Sequence, residues 1–219
     1  MKIGTDGVLL GAWTSLEKNP QSILDIGAGT GVITLQLAQR CSAELIDSIE
    51  LDEDAYEQCV ENFEISSWAD RLFCYHAGLD EFVDEMEEKY DLIVSNPPFY
   101  SEEMGSGDMA RDMARQNNSL PFEDLVAGVS KLLSADGVFN VIVPFKEEQR
   151  FIQLTKTAGM HLKRLTHVRG NPASEIKRSL MEFGWDVATP LVNELIIEEQ
   201  RHVYTKEYID LTKEFYLKM

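Results

Sequence analysis

The chain has 219 residues, 44% hydrophobic and 26% charged, which suits a single α/β domain with ample core. No apolar run approaches the ~18 residues that span a bilayer, and Met1-Lys2 leads into Ile3-Gly4-Thr5-Asp6-Gly7 rather than a basic flank and apolar stretch, so neither a membrane span nor a signal peptide is expected. The net charge of −18 argues against a nucleic-acid partner until its distribution is read: residues 1–110 hold 5 Lys/Arg against 23 Asp/Glu, whereas residues 111–219 hold 15 of each.

Thr5 or Asp6 is expected to cap a short helix running through Leu16, with Val8, Leu9, Ala12 and Trp13 on one face, before Asn19-Pro20 breaks it. Residues 22–26 read as a short apolar strand, Gly27-Ala28-Gly29-Thr30-Gly31 as a tight glycine loop, and residues 32–39 as a helix. Glycines let the backbone approach a ligand closely, and the helix N-terminus offers free N–H groups. The next strand, residues 44–49, ends at Glu50, a carboxylate about twenty residues past the loop and suited to two ribose hydroxyls. An adenosine-containing cofactor is therefore implied.

Two cofactors compete for this loop. A dinucleotide site reads Gly-x-Gly-x-x-Gly, with the last glycine under a pyrophosphate. Here the spacing is Gly-x-Gly-x-Gly, Val32 sits where that last glycine would fall, and Asp25 stands just ahead of the loop. An acidic neighbour disfavours a pyrophosphate and favours a cationic amino-acid end, so S-adenosyl-L-methionine is preferred over NAD.

A helix is expected over 54–64, a third strand over 71–76, and then Ala77-Gly78, in a loop that such folds set against adenine. The acidic residues 79–89 read as helix, and residues 90–94 as a buried strand running into Ser95-Asn96-Pro97-Pro98-Phe99. Two prolines fix φ at both positions and push Asn96 out of the helical region. The Asn96 side-chain oxygen and the Pro97 carbonyl then form two acceptors beside the flat Phe99 ring. An exocyclic NH2 has two hydrogens for those acceptors and a ring to lie on Phe99.

Residues 100–119 lack a clear period and read as a substrate lid carrying Arg111 and Arg115, or as a solvated loop. A helix follows over 120–133, a buried strand over 137–143, a helix over 146–158, and a closing hairpin of strands 161–168 and 178–185. Residues 193–197 are an extra strand, and residues 205–217 a helix whose Tyr208, Leu211 and Phe215 pack on the body or, alternatively, form a dimer contact. Residues 146–178 carry eight cations against Glu147, Glu148 and Glu175; they form a basic face or are scattered solvated charges. Cys41, Cys59 and Cys74 show no Cys-x-x-Cys spacing, and His76, His161, His167 and His202 no ligand or triad spacing, so no metal is expected and a reducing cytoplasm is the simplest compartment.

These motifs resemble the class I S-adenosylmethionine-dependent methyltransferases, in the amino-group branch marked by Asn-Pro-Pro-aromatic. The opening Met1-Lys-Ile-Gly-Thr-Asp-Gly-Val-Leu-Leu-Gly-Ala-Trp13 narrows the resemblance to the bacterial tRNA-1(Val) adenine-37 N6-methyltransferase family. The Asp-Ile-Gly-Ala-Gly-Thr-Gly loop, Ala114-Arg115 and the ending Tyr204 to Met219 are similar too. Relatives usually carry a short aromatic and basic stretch ahead of Lys2, so either the chain is shorter or an internal methionine has been assigned as its start.

The resemblance implies an α/β, Rossmann-like class I fold: a mostly parallel seven-stranded sheet with an antiparallel final hairpin and helices on both faces. It implies one domain over 1–219, with a cofactor-side helix over 1–16 and a C-terminal strand and helix over 190–219. Cofactor contacts are expected from Thr5, Asp6, Asp25, Gly27, Ala28, Gly29, Gly31, Glu50, Leu51, Ala77, Gly78 and Asn96. Asn96, Pro97, Pro98 and Phe99 are the expected catalytic set. Arg111, Arg115, Lys163, Arg164, Arg169, Lys177 and Arg178 are expected to hold a tRNA anticodon stem-loop. A cytoplasmic monomer is expected, with a dimer as the alternative. Rival readings are methylation of a glutamine side-chain amide in a protein, methylation of another adenine in RNA or DNA, and a non-catalytic RNA-binding module.

Overall fold

The computed structural model describes residues 4–98 and 120–217. In chain order, α1 (Thr5–Trp13) precedes β1 (Ser22–Ile26), α2 (Val32–Arg40), β2 (Leu45–Glu50), α3 (Glu53–Glu64), β3 (Leu72–His76), α4 (Leu79–Glu85) and β4 (Tyr90–Ser95). The second stretch holds α5 (Phe122–Leu132), β5 (Leu133–Pro144), α6 (Glu148–Thr157), β6 (His161–Arg169), β7 (Ile176–Gly184), β8 (Leu191–Ile196), the short strands β9 (Glu198–Gln200) and β10 (Val203–Tyr204), and α7 (Lys206–Thr212).

Eight strands form one sheet in the order β3-β2-β1-β4-β5-β7-β6-β8. Only β7 runs against its neighbours; it pairs antiparallel with both β5 and β6. The expected seven strands and closing hairpin are present, and the extra strand expected near 193–197 is β8, which adds to the edge beside β6.

The strands are apolar because both faces of the sheet are covered. Ile23, Leu92, Val94 and Ile142 pack on one face with Leu9, Leu37, Phe63 and Tyr208. Leu24, Ile93, Phe139 and Val141 alternate to the other face and meet Phe82, Leu125, Val129 and Phe151. The sheet is thus sandwiched by α1, α2, α3 and α7 on one side and by α4, α5 and α6 on the other.

Several boundaries differ from expectation. The first helix ends at Trp13 rather than Leu16, and the last at Thr212, followed by a 3-10 turn over Lys213–Phe215. Helix α4 ends at Glu85 rather than near 89. Its last turn runs into Glu85, Glu87 and Glu88, and negative charge at a helix C-terminus opposes the macrodipole. The fifth strand begins at Leu133, directly after α5, rather than at Gly137.

Strand β1 lies between β2 and β4, so strand order reverses there. In open parallel sheets this reversal opens a crevice beyond the strands' C-terminal ends. The glycine loop, Glu50, Ala77-Gly78 and Asn96 follow β1, β2, β3 and β4 in that same position.

Candidate active site

The turn from β1 to α2 is made by Gly27, Gly29 and Gly31 at φ of 74°, 59° and 78°. Side chains rarely adopt such angles, which is why glycines recur there. A Cβ on Gly31 would lie 2.5 Å from Phe63 Cε1 and 2.9 Å from Cys59 Sγ, so that glycine also lets α3 pack under the loop. A Cβ on Gly27 would meet nothing within 4 Å. The first glycine therefore opens onto space, whereas the last is squeezed against the core.

That space is a cavity of about 1390 Å³. Single-ligand pockets run to about 1,000 Å³, so there is room for a cofactor and part of a second molecule. Its wall is drawn from the loop, from Glu50 and Leu51, from Ala77 and Gly78, from Asn96, Pro97 and Pro98, and from Thr5 and Asp6 of α1. With Leu120, Pro121 and the α5 residues Asp124 and Gly128, six separate stretches of sequence converge on one cavity.

Glu50 is fixed before any ligand arrives. Its Oε2 accepts from Gly29 N–H at 2.7 Å and its Oε1 from Asp52 N–H at 2.9 Å. Each carboxylate oxygen keeps a further lone pair for a hydroxyl donor. Asp52 caps α3 by accepting from Ala55 N–H at 3.0 Å, which holds the end of β2 in register with the loop.

Asn96 is half-buried, Pro97 is buried and Pro98 is exposed. Ser95 anchors this turn: its hydroxyl, wholly buried, donates to the Ile26 carbonyl at 2.9 Å and ties the end of β4 to the end of β1. A Cβ on Gly7 would lie 3.9 Å from Asn96 Nδ2, so α1 packs beside that amide. Phe99, Arg111, Arg115 and the lid expected over 100–119 lie outside the described residues.

Asp25 does not reach the cavity wall. It is 0% exposed, with Oδ2 accepting from Thr34 Oγ1 at 2.8 Å. Thr34 Oγ1 also lies 2.8 Å from Ser48 Oγ, so the group ties β1, α2 and β2 together beneath the loop. Among the described residues Oδ1 has no hydrogen-bond partner. Burial pushes the carboxyl up to about 7, against the Thr34 hydrogen bonds that pull it down. Its place on β1 turns it towards α2, away from the cradle.

The basic residues expected to hold RNA are largely engaged in ion pairs. Lys163 pairs with Asp186, Arg164 with Glu182 at 3.0 Å, and Arg169 with Glu194 at 2.8 Å. Arg178 Nε meets Asp6 Oδ2 at 2.7 Å, which straps α1 to β7. Arg164 also lies 3.6 Å over the Trp13 ring and donates to the Trp13 carbonyl at 3.0 Å. Lys177 is exposed. Two of these arginines hold the first helix against the cofactor cavity.

Sequence reasoning passed over Asp80, which also lines the cavity, two residues after Gly78. The available signal was a carboxylate directly following the Ala77-Gly78 loop at the end of β3.

A family model described as methyltransferase small domain matches residues 7–121, more than half of the chain. The chain is 59% identical to the tRNA1(Val) (adenine(37)-N6)-methyltransferase of Flavobacterium johnsoniae, covering 100% of this chain and 94% of that protein. It is 42% identical to the protein of the same name from Phocaeicola vulgatus, over 100% of this chain and 92% of that one. The chain belongs to the tRNA1(Val) (adenine(37)-N6)-methyltransferase family. Among solved structures, a predicted O-methyltransferase from Agrobacterium tumefaciens superposes with a TM-score of 0.72 at 18% identity, covering 95% of this chain and 96% of that one. A putative RNA methyltransferase from Pyrococcus horikoshii gives 0.58 at 17% identity, covering 83% and 82%. At such identities the likeness concerns the fold alone.

Proposed function

We propose that this protein methylates N6 of adenine 37 in the anticodon loop of tRNA1(Val), with S-adenosyl-L-methionine as donor. The observation that carries the reading is one cavity holding both a glycine cradle beside a ribose-type carboxylate and the Asn96-Pro97 acceptor pair. The full-length relatives named for that reaction support the substrate.

The residues fit the donor. Gly27 leaves open space where a side chain would stand, and Glu50 is held with lone pairs to spare. Gly27 to Gly31 would carry the methionine end, Glu50 the ribose, and Ala77, Gly78 and Asp80 the adenine. The donor would supply a methyl on a sulfonium: the N6 lone pair would form the new N–C bond as the C–S bond breaks, and the sulfur would leave as a neutral thioether.

The work of the chain is positioning. The N6 lone pair of adenine is delocalised into the ring and is a weak nucleophile. Asn96 Oδ1 and the Pro97 carbonyl accept the two amino hydrogens, which favours a pyramidal nitrogen and aims its lone pair into the cavity. The proposed stacking partner is Phe99, which follows the two prolines in sequence. Held this way, the reactants gain the rate that orientation and fixed dipoles provide. No base need act first, because the proton leaves a nitrogen that is already cationic. Adenine 37 is single-stranded in its loop, so turning it out costs little.

The test is methyl transfer from labelled S-adenosylmethionine to an unmodified tRNA1(Val) transcript, read by nucleoside mass spectrometry. N6-methyladenosine confined to the anticodon loop is the expected result. Label in protein or in other RNA, with none in this tRNA, overturns the substrate.

A further inference from the structure

One exposed aromatic ring stands on the same rim as Asn96, and the reaction above does not use it. Strand β5 runs parallel to β4, with Val141 beside Ser95, and continues through Pro144 before turning at Phe145. At ~3.3 Å per residue, the end of β5 lies roughly 10 Å past the level of Ser95. Phe145 is 40% exposed there, with exposed Lys146 next to it and exposed Lys177 at the start of the neighbouring strand β7.

The ring is buttressed from beneath. It stands edge-on to the His167 imidazole, with centroids 5.3 Å apart and planes at 89°. His167 Nε2 lies 2.7 Å from Glu148 Oε2, and a carboxylate can only accept, so that nitrogen carries the proton. Glu148 is itself 4% exposed and is locked by Ser179 Oγ, which donates at 2.6 Å, and by Gln149 Nε2, which donates at 3.1 Å. A buried carboxylate thus fixes an imidazole, and the imidazole fixes an exposed ring beside two cations. The ring thus rests on a polar network at the surface.

We infer that Phe145 is a stacking site for a nucleotide flanking the methylated adenine, with Lys146 and Lys177 against the adjoining phosphates. A base turned into the cavity pulls its neighbours across this rim, and an aromatic face receives any base without regard to sequence. His167 and Glu148 are positioning residues for the platform. The inference rests on the proposed RNA substrate.

Steady-state methylation of an anticodon stem-loop RNA tests it, with the parent enzyme alongside Phe145→Ala and Phe145→Trp. Loss of one stacking contact raises KM for RNA roughly 5- to 100-fold in Phe145→Ala. At saturating RNA, kcat stays within about twofold of the parent, as expected when only uniform binding is lost. The Kd for S-adenosylmethionine is unchanged, and Phe145→Trp recovers the parent KM. Placing an abasic nucleotide at each flanking position in turn raises KM for the parent at one of them, and adds nothing further in Phe145→Ala. A parent that methylates the RNA while Phe145→Ala keeps its KM overturns the stacking site alone. An abasic penalty as large in Phe145→Ala as in the parent does the same. A parent that methylates no RNA overturns the substrate reading, and the platform falls with it.

Discussion

Asp25 carries a cost that the cradle above it does not share. Its carboxyl is pushed up to about 7 by burial, against 3.8 in the unfolded chain. Between those values the native state binds more protons than the unfolded state, so stability falls as pH rises through that window and stays low above it. A gap of this size corresponds to roughly 4 kcal/mol above pH 7. Asp25→Asn removes the ionisation and keeps a hydrogen-bonding group against Thr34. Thermal unfolding should show a higher Tm for this variant at pH 8, with the gain shrinking as pH falls from 7 towards 4. An equal gain at every pH would mean that the carboxyl does not titrate in this range. For Asn96 the proposed role places the main consequence in turnover. Asn96→Ala is expected to lower kcat by at least roughly 100-fold, the loss typical of one preorganised polar contact. Calorimetry should find its affinity for S-adenosylmethionine nearly intact, and a parent-like kcat would remove Asn96 from the reaction.

Among the elements, the β1-loop-α2 unit was the most legible, because its glycines meet two demands at once. Positive φ at three positions needs them, and Gly31 additionally admits Phe63 and Cys59 of α3. Gly31→Ala combines left-handed strain with overpacking and should cost about 2–4 kcal/mol. Chemical denaturation would record that loss, and an unchanged midpoint would show that α3 can yield. The buried strands were legible for a related reason: sheets covered on both faces read as continuous apolar runs. The arginines were not. Arg164 reaches Trp13 and Arg178 reaches Asp6 across 151 and 172 residues of sequence, and no local pattern announces such a pairing. Positive charge on neighbouring strands suggested a phosphate surface, whereas tertiary packing uses two of these side chains as straps. The burial of Asp25 was not legible for the same reason. Its closeness to the loop in sequence says nothing about which face of β1 it points from.

At the scale of the whole molecule, the net charge of −18 confronts a polyanionic substrate. The Debye length is ~30 Å at 0.01 M salt and ~10 Å at 0.1 M. At low salt RNA therefore meets the field of the entire chain, and at higher salt only the local rim. The association rate constant with tRNA should rise as salt increases between about 0.01 M and 0.1 M, opposite to ordinary electrostatic steering. Stopped-flow binding would decide this, and a rate that falls with salt would mean that a local positive field outweighs the net charge.

The strap between Asp6 and Arg178 also bears on how the molecule is made. Thr5 and Asp6 belong to the cavity wall, and the ion-pair partner of Asp6 is an arginine 172 positions later. On the ribosome, at roughly 5–20 residues per second, that partner emerges some ten to thirty seconds after the first helix. The parallel strands and the glycine loop can assemble in the meantime, but the first helix has nothing on β6 or β7 to grip. The first helix can dock early on α2, where Gln36 Nε2 donates to the Val8 carbonyl at 3.2 Å and Arg40 to the Thr14 carbonyl at 2.9 Å, whereas Asp6 at the cavity wall gains its ion-pair partner only once β7 has left the ribosome.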